Sequence, residues 1–270
     1  MEVVAADERR HPPGRSPTWE ESWYLDFVAG DGRLAGYVRL ALRPGQATAW
    51  FWAAVVGGGP PLVTLRDHDV PPPSGGGLEV RASGLWTELV CETPLDHWSV
   101  GMEAFGVAVE DPLEAWGRER GDPWALGLDV EWEGTAECAA WPAEGTEGYW
   151  QPCAVHGDVL VGAERFQLDG TGMRLHRWGD EHRRQPSGWA AGRLEDGTAF
   201  AVTEVDVDCD PSGLLRGVTA GEVRGTAVAA APVLVPGSGR LARALFRYDS
   251  PRPGYGWGEW LHPGEASALV

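Results

Sequence analysis

Large apolar, aromatic and β-branched residues recur along this chain in short runs, many of them at every second position, and the runs are broken by Gly, Pro and Asp-Gly steps. That period is the signature of strands with a buried face. Runs such as "SWYLDFVA", "LAGYVRLAL", "ATAWFWAAVV", "LWTELVCET", "HWSVGMEA", "WALGLDVEWEG", "TAFAVTEVDV" and "LARALFRYD" predict an all-β protein. Helical periodicity is scarce. Its best candidate is "DPLEAWGRER", where Asp111 can cap a turn and Pro112 can hold its first position.

The steps between runs carry turn chemistry. Asp31-Gly32 and Asp196-Gly197 each stand between apolar runs, the strongest short hairpin signal. The Gly-, Pro- and Glu-rich stretch "CAAWPAEGTEGYW" separates two strand-dense halves. It sets an expected division into residues 1–145 and 146–270, each half an antiparallel β-barrel or nearly so.

The segment "GWAAGRLEDGTAFAVTEVDV" allows a register to be drawn. With Asp196-Gly197 as a two-residue turn, Arg193 faces Phe200, Ala191 faces Val202 and Trp189 faces Glu204. Opposed residues share a face, so Trp189, Phe200 and Glu204 are expected to point inward together. A carboxyl held there against an indole would have a raised pKa and could donate a proton. The alternative is a structural ion pair with Arg174 or Arg193.

In "GTGMRLHRWGDEHRR", strand alternation places Arg174, His176, Trp178, Asp180 and His182 on one face. Proton-transfer groups would then lie beside an aromatic surface, unless Gly179 breaks the strand and leaves the rest in a rim loop. A metal held by His176, Asp180 and His182 is conceivable, but the stretch lacks the helical His-Glu-x-x-His spacing, and no metal or other cofactor is expected.

Composition narrows the function. The net charge is −18 and there is no Lys, which disfavours nucleic acid as a partner. The four cysteines lack ligand spacing. No run approaches the roughly 20 apolar residues of a membrane span. The first residues show no basic stretch followed by an apolar one, so a cytoplasmic protein without stable membrane insertion is expected. Fifteen Trp are more than core filling asks for and suggest that some line a ligand cavity.

The order "WEESWYLDF", "DGTGMRLHRWG", "GWAAGRLEDGTAF" and "PGYGWGEWL" resembles the AttH-like and hydroxyneurosporene synthase (carotenoid hydratase) superfamily over most of the chain. The resemblance implies two lipocalin-like barrels side by side around a hydrophobic cavity. Members include hydratases of carotenoid double bonds, cyclases of the Diels-Alderase type and lipid-handling proteins. In the hydratase-like members a His-x-Trp pair with a tyrosine and an acid on a following strand is the proposed proton-donating assembly. His176 and Trp178 match that pair. Leu175 stands where the preceding acid is usual, Arg177 where a serine is common, and Thr203 near the tyrosine position, with Glu204 and Asp206 as neighbouring acids.

The expected function is therefore a non-redox enzyme that protonates a hydrophobic prenyl or polyene substrate to start hydration or cyclisation. His176, Glu204 and Asp180 are its candidate catalytic residues. Trp178 and Trp189 would steady a cationic intermediate through their ring faces, and Arg174, Phe200, Trp23, Tyr24 and Trp257 would line the substrate, although Trp23 and Tyr24 also suit a barrel core. The alternatives are a pericyclic cyclase, which needs only a shaped cavity, a lipocalin-type carrier, and a carbohydrate-binding β-domain whose exposed aromatics stack on sugars, which would leave the His-x-Trp-Gly motif unexplained.

Overall fold

The computed structural model describes residues 2–117, 121–142, 147–180 and 187–263. Two antiparallel sheets hold about two thirds of them. The first holds β1 (Trp19–Ala29), β2 (Ala35–Arg43), β3 (Thr48–Val56), β4 (Leu62–Val70), β5 (Leu78–Ala82), β6 (Leu85–Thr93), β7 (His97–Val109), β8 (Pro123–Gly134), β9 (Ala139–Ala140), β10 (Glu147–Val161) and β11 (Glu164–Asp180). The second holds β12 (Ser187–Leu194), β13 (Ala199–Val202), β14 (Asp206–Cys209), β15 (Leu215–Ala220), β16 (Val223–Ala230), β17 (Val233–Val235), β18 (Gly239–Ser250) and β19 (Gly254–Pro263). The all-β expectation and the two lipocalin-like halves hold.

The first sheet closes on itself. Its path runs β4-β3-β2-β1-β11-β10-β8-β7, and β7 returns to β4 where Leu62–Thr64 meet Val107–Val109. Closure covers the edge of β4 over those residues, and the sheet runs on from β7 through β6 to β5. The second sheet follows β13-β12-β19-β18-β16-β15-β14 and curls, with no pairing of β13 to β14 among the described residues.

Sheet membership differs from the expected division at 145/146. Strands β10 and β11 pair with β8 and β1, so residues 147–180 complete the first barrel, and the change of sheet falls between Asp180 and Ser187. The Gly- and Pro-rich stretch joins β8 to β10 inside one barrel. Turn chemistry marks tight connections of every kind, not only boundaries between halves.

Strands β1, β2 and β3 are buried on both faces; β2 and β3 accordingly read as largely apolar runs, whereas β1 buries Glu20, Glu21, Ser22 and Asp26 among its apolar residues. One face, with Trp23, Leu25, Phe27, Leu40 and Phe51, fills the barrel interior together with Trp132 and Val155. The other, with Tyr24, Val28, Tyr37, Trp50 and Trp52, meets Trp189, Ala191, Leu245 and Trp257 of the second sheet. The far side of the second sheet packs Ala190, Ala244, Phe246 and Tyr248 against Trp116. That tryptophan ends a short 3-10 helix, Pro112–Trp116, which Asp111 caps by accepting the Leu113 N–H at 3.0 Å, close to the sequence expectation. No helix among the described residues is long and apolar enough to cross a membrane.

Candidate functional site

The mid-chain motif lies on β11, and the strand continues through Gly179, whose φ of 131° a glycine tolerates. Arg174, His176 and Trp178 share one face as the alternation requires, and all three are buried at one end of the first barrel. This is no open mouth. The N-terminal segment, which carries a 3-10 turn Ala5–Glu8, lies across it.

Each of the three residues is engaged within the protein. Arg174 holds Glu8 with two hydrogen bonds of 2.8 and 3.0 Å and donates from Nε to Gln151 Oε1 at 2.6 Å. Glu8 also accepts from the Tyr149 hydroxyl, the Trp98 indole and the Leu95 N–H. Burial raises the pKa of Glu8, but the Arg174 charge and these donors outweigh it and the net shift is downward. The Trp178 ring stacks on His11 at 3.7 Å and its N–H donates to Glu147 at 2.7 Å. His176 stacks on Trp23 at 4.5 Å, and its Nε2 lies 3.0 Å from Glu21 Oε1. Burial pulls its pKa down to about 3, so its imidazole is neutral near pH 7 and holds no acidic proton to give. Arg174, committed to Glu8, is likewise no free substrate anchor. Asp180 ends β11 opposite Trp19, half-buried, and His182 lies outside the described residues.

The expected Trp189–Glu204 pairing is corrected by one residue. Ala190 pairs with Val202, Gly192 with Phe200 and Arg193 with Ala199, around a three-residue loop in which Gly197 has φ 87°. A slip of one reverses every face. Phe200 thus lies with Ala190 and Val202 on the far side of the second sheet from Trp189. Strand β13 ends at Val202, and Glu204 is exposed in the following coil, not held in an apolar lining.

Trp189, Tyr24 and Trp257 meet instead in the layer between the sheets, around a carboxyl that the sequence reading passed over. Asp26 is 4% exposed. Its Oδ2 accepts from the Tyr24 hydroxyl at 2.9 Å and its Oδ1 from the Met173 N–H at 2.8 Å. Burial raises its pKa to about 7, against the opposing pull of Met173, Tyr24 and the Arg243 charge. The Arg243 guanidinium lies over Tyr37 at 4.0 Å and Tyr24 at 4.7 Å and meets Glu259 at 3.2 Å. The available signal was local: Asp26 is the one ionisable carboxyl in the run "WYLDFVA", and such a group is buried unless the strand lies at an edge.

Asp26 lines a small cavity of about 20 Å³ bounded by Trp150, Met173, Ala191, Arg193 and Tyr255. A wider groove of about 440 Å³ shares Val28, Thr171, Arg193 and Tyr255 with it and opens outward between β1 and β11 on one side and β12 and β19 on the other. The groove and the small cavity beside it, which has room for about one water, share four lining residues and make up a cleft between the sheets; the protonatable Asp26 carboxyl borders the cavity and not the groove. A polar group of that kind in an apolar recess is the usual make-up of a small-molecule site.

Three solved structures share the fold. An AttH-like protein of Nitrosomonas europaea superposes with a TM-score of 0.58 at 12% identity, covering 92% of this chain and 94% of that one. CghA gives 0.54 at 12%, covering 94% and 90%, and has also been solved with Sch210972. Kievitone hydratase from Nectria haematococca gives 0.55 at 11%, covering 96% and 93%. At these identities the likeness is one of fold. No curated relative matches the sequence. The profile of DUF7064, a domain of unknown function, matches residues 4–218, so the chain belongs to the DUF7064 family.

Proposed function

We propose that the protein is a cofactor-independent enzyme of the hydratase or cyclase type, which binds a hydrophobic polyene or terpenoid in the cleft between its sheets and starts reaction by protonating a carbon–carbon double bond. Asp26 carries the reading. Its carboxyl is buried between the sheets, beside the small cavity that adjoins the groove, and is oriented by Tyr24 and Met173 with a pKa near 7, where a general acid is both protonated and able to let its proton go. The proton adds to one alkene carbon and leaves a cation on the other. Water, or a second double bond of the same molecule, then supplies the electron pair, and the proton lost in the last step returns to the Asp26 carboxylate. Rings on the walls would steady the cation.

The neighbouring structures agree in kind: one is named as a hydratase, and another has been solved with a small molecule. A lipocalin-type carrier holding its ligand within a barrel is disfavoured, because Phe27, Phe51 and Trp132 fill that interior.

To test the reading, purified protein is incubated with an organic extract of its native cells, and what it retains and releases is identified by mass spectrometry. A retained polyene or terpenoid that is converted by the wild type, with conversion slowed about 100-fold or more in Asp26→Asn while retention persists, is the expected result. A retained sugar, or conversion unchanged in Asp26→Asn, overturns it.

A further inference from the structure

The buried end of the first barrel holds a group of side chains that the cleft does not use. His11 belongs to the N-terminal segment, Glu21 to β1 and His176 to β11. Glu21 Oε1 lies 2.8 Å from His11 Nδ1 and 3.0 Å from His176 Nε2, and one ligand atom from each residue lies within 4.8 Å of the others. The same oxygen also accepts the His11 backbone N–H at 2.8 Å, so one backbone N–H and two imidazole nitrogens converge on a single carboxylate oxygen. Glu21 and His176 are 1% and 2% exposed, whereas the His11 side chain is 20% exposed and leaves a path from outside.

We propose that His11, Glu21 and His176 form a binding site for a divalent transition-metal ion of the zinc class, which fastens the N-terminal segment across the end of the first barrel. Two imidazole nitrogens and one carboxylate oxygen are a donor set that Zn²⁺ takes with a further position left for water. Ligands about 2.0–2.2 Å from a tetrahedral ion stand roughly 3.3 Å apart, so the His–Glu separations need to open by only a few tenths of an ångström. The outer shell is suited as well. His11 Nε2 faces the Asp7 carboxylate at 3.9 Å, in the place where a ligating histidine commonly has an acidic partner. His176 Nδ1 is buried without a hydrogen-bond partner. It can carry the ring proton once Nε2 turns its lone pair to a metal. The two nearby arginines are occupied: Arg174 by Glu8, and Arg10 by the Pro73 and Gly75 carbonyls. Among the described residues Glu21 pairs with His11 and His176, and the Arg10 charge acts on it from further away.

A second His–carboxylate group, Glu131, Glu133 and His156, lies on the outside of the barrel with His156 and Glu133 exposed, and serves as the control. Protein freed of metal by a chelator is titrated with Zn²⁺ and, as a spectroscopic probe, with Co²⁺. One tight equivalent of Zn²⁺ per chain is expected, with a Co²⁺ adduct showing the strong visible bands of a four- or five-coordinate ion. His11→Gln alters a residue outside both sheets, so the fold is kept, and it should weaken Zn²⁺ binding on the order of 100-fold or more, with Asp7→Asn weakening it about tenfold. His156→Gln should leave it unchanged. No Co²⁺ bands in the wild type, Zn²⁺ uptake that survives His11→Gln, or uptake lost in His156→Gln instead, would each overturn the site.

Discussion

At the scale of single residues, Asp26 and Glu8 are both buried carboxyls with opposite electrostatic fates. Glu8 receives a bidentate guanidinium and three further donors, and its pKa falls. Asp26 receives one hydroxyl and one N–H, and burial wins, taking its pKa from 3.8 to about 7. Between those two values the folded chain keeps a proton that the unfolded chain has released. The contribution of Asp26 to stability is therefore full below the unfolded pKa, falls by about 1.4 kcal/mol per pH unit as pH rises through the window, and levels off above about 7. Glu8 acts in reverse, losing its contribution as pH falls through its depressed folded value. Asp26→Asn keeps an acceptor for Met173 and removes the ionisation, so its urea midpoint should lose the decline between pH 4 and 7 and exceed that of the wild type at pH 8. Parallel profiles for the two proteins would show that Asp26 holds no such proton. Turnover of any substrate of the cleft should likewise fall about tenfold per pH unit above 7.

At the scale of elements, the N-terminal segment is the piece that sequence periodicity could not place. Residues 2–18 form no strand, yet Glu8 and His11 meet the barrel through chemistry that has no repeat to read. The pair Glu8–Arg174 spans 166 positions along the chain, and nothing local in either residue names the other. Glu8→Gln would leave Arg174 buried without its counter-charge, which should cost about 3–5 kcal/mol. The double variant Glu8→Gln, Arg174→Met removes both charges and should recover a large part of that loss in thermal unfolding. The β12–β13 hairpin teaches the complementary lesson. Its existence and its turn residues were legible at Asp196-Gly197, but the loop takes Glu195 as a third residue. That single residue sent Phe200 to the other face and left Glu204 in water, because side-chain direction along a strand has a period of two and tolerates no error of one.

At the scale of the molecule, strand alternation made the all-β class and most strands legible. It could not say that β1, with Glu20, Glu21 and Asp26 in its run, would be buried on both faces, nor that the layer between the sheets, not the interior of a barrel, would hold the protonatable carboxyl. Trp178 and Trp189, expected in one hollow, belong to different layers, one at the covered end of the first barrel and one between the sheets. The site between the sheets depends on both: β1 supplies Tyr24 and Asp26, β12 supplies Trp189, and β18 supplies Arg243. Trp257 of β19 is fully buried there, edge-on to Tyr37 at 5.5 Å, with its indole N–H 3.4 Å from the Phe27 carbonyl. A layer this apolar makes the two sheets one cooperative unit, since parting them would expose Tyr37 and Trp52 on one side and Trp189 and Trp257 on the other. Circular dichroism and tryptophan fluorescence should therefore follow a single shared urea transition. Trp257→Ala, which empties a volume lined by both sheets, should shift that whole transition by about 3–5 kcal/mol. Two separate transitions in the wild type, with only the later or only the earlier one moved by Trp257→Ala, would mean that each sheet is stable alone and that the Asp26 cleft is a seam between independent units.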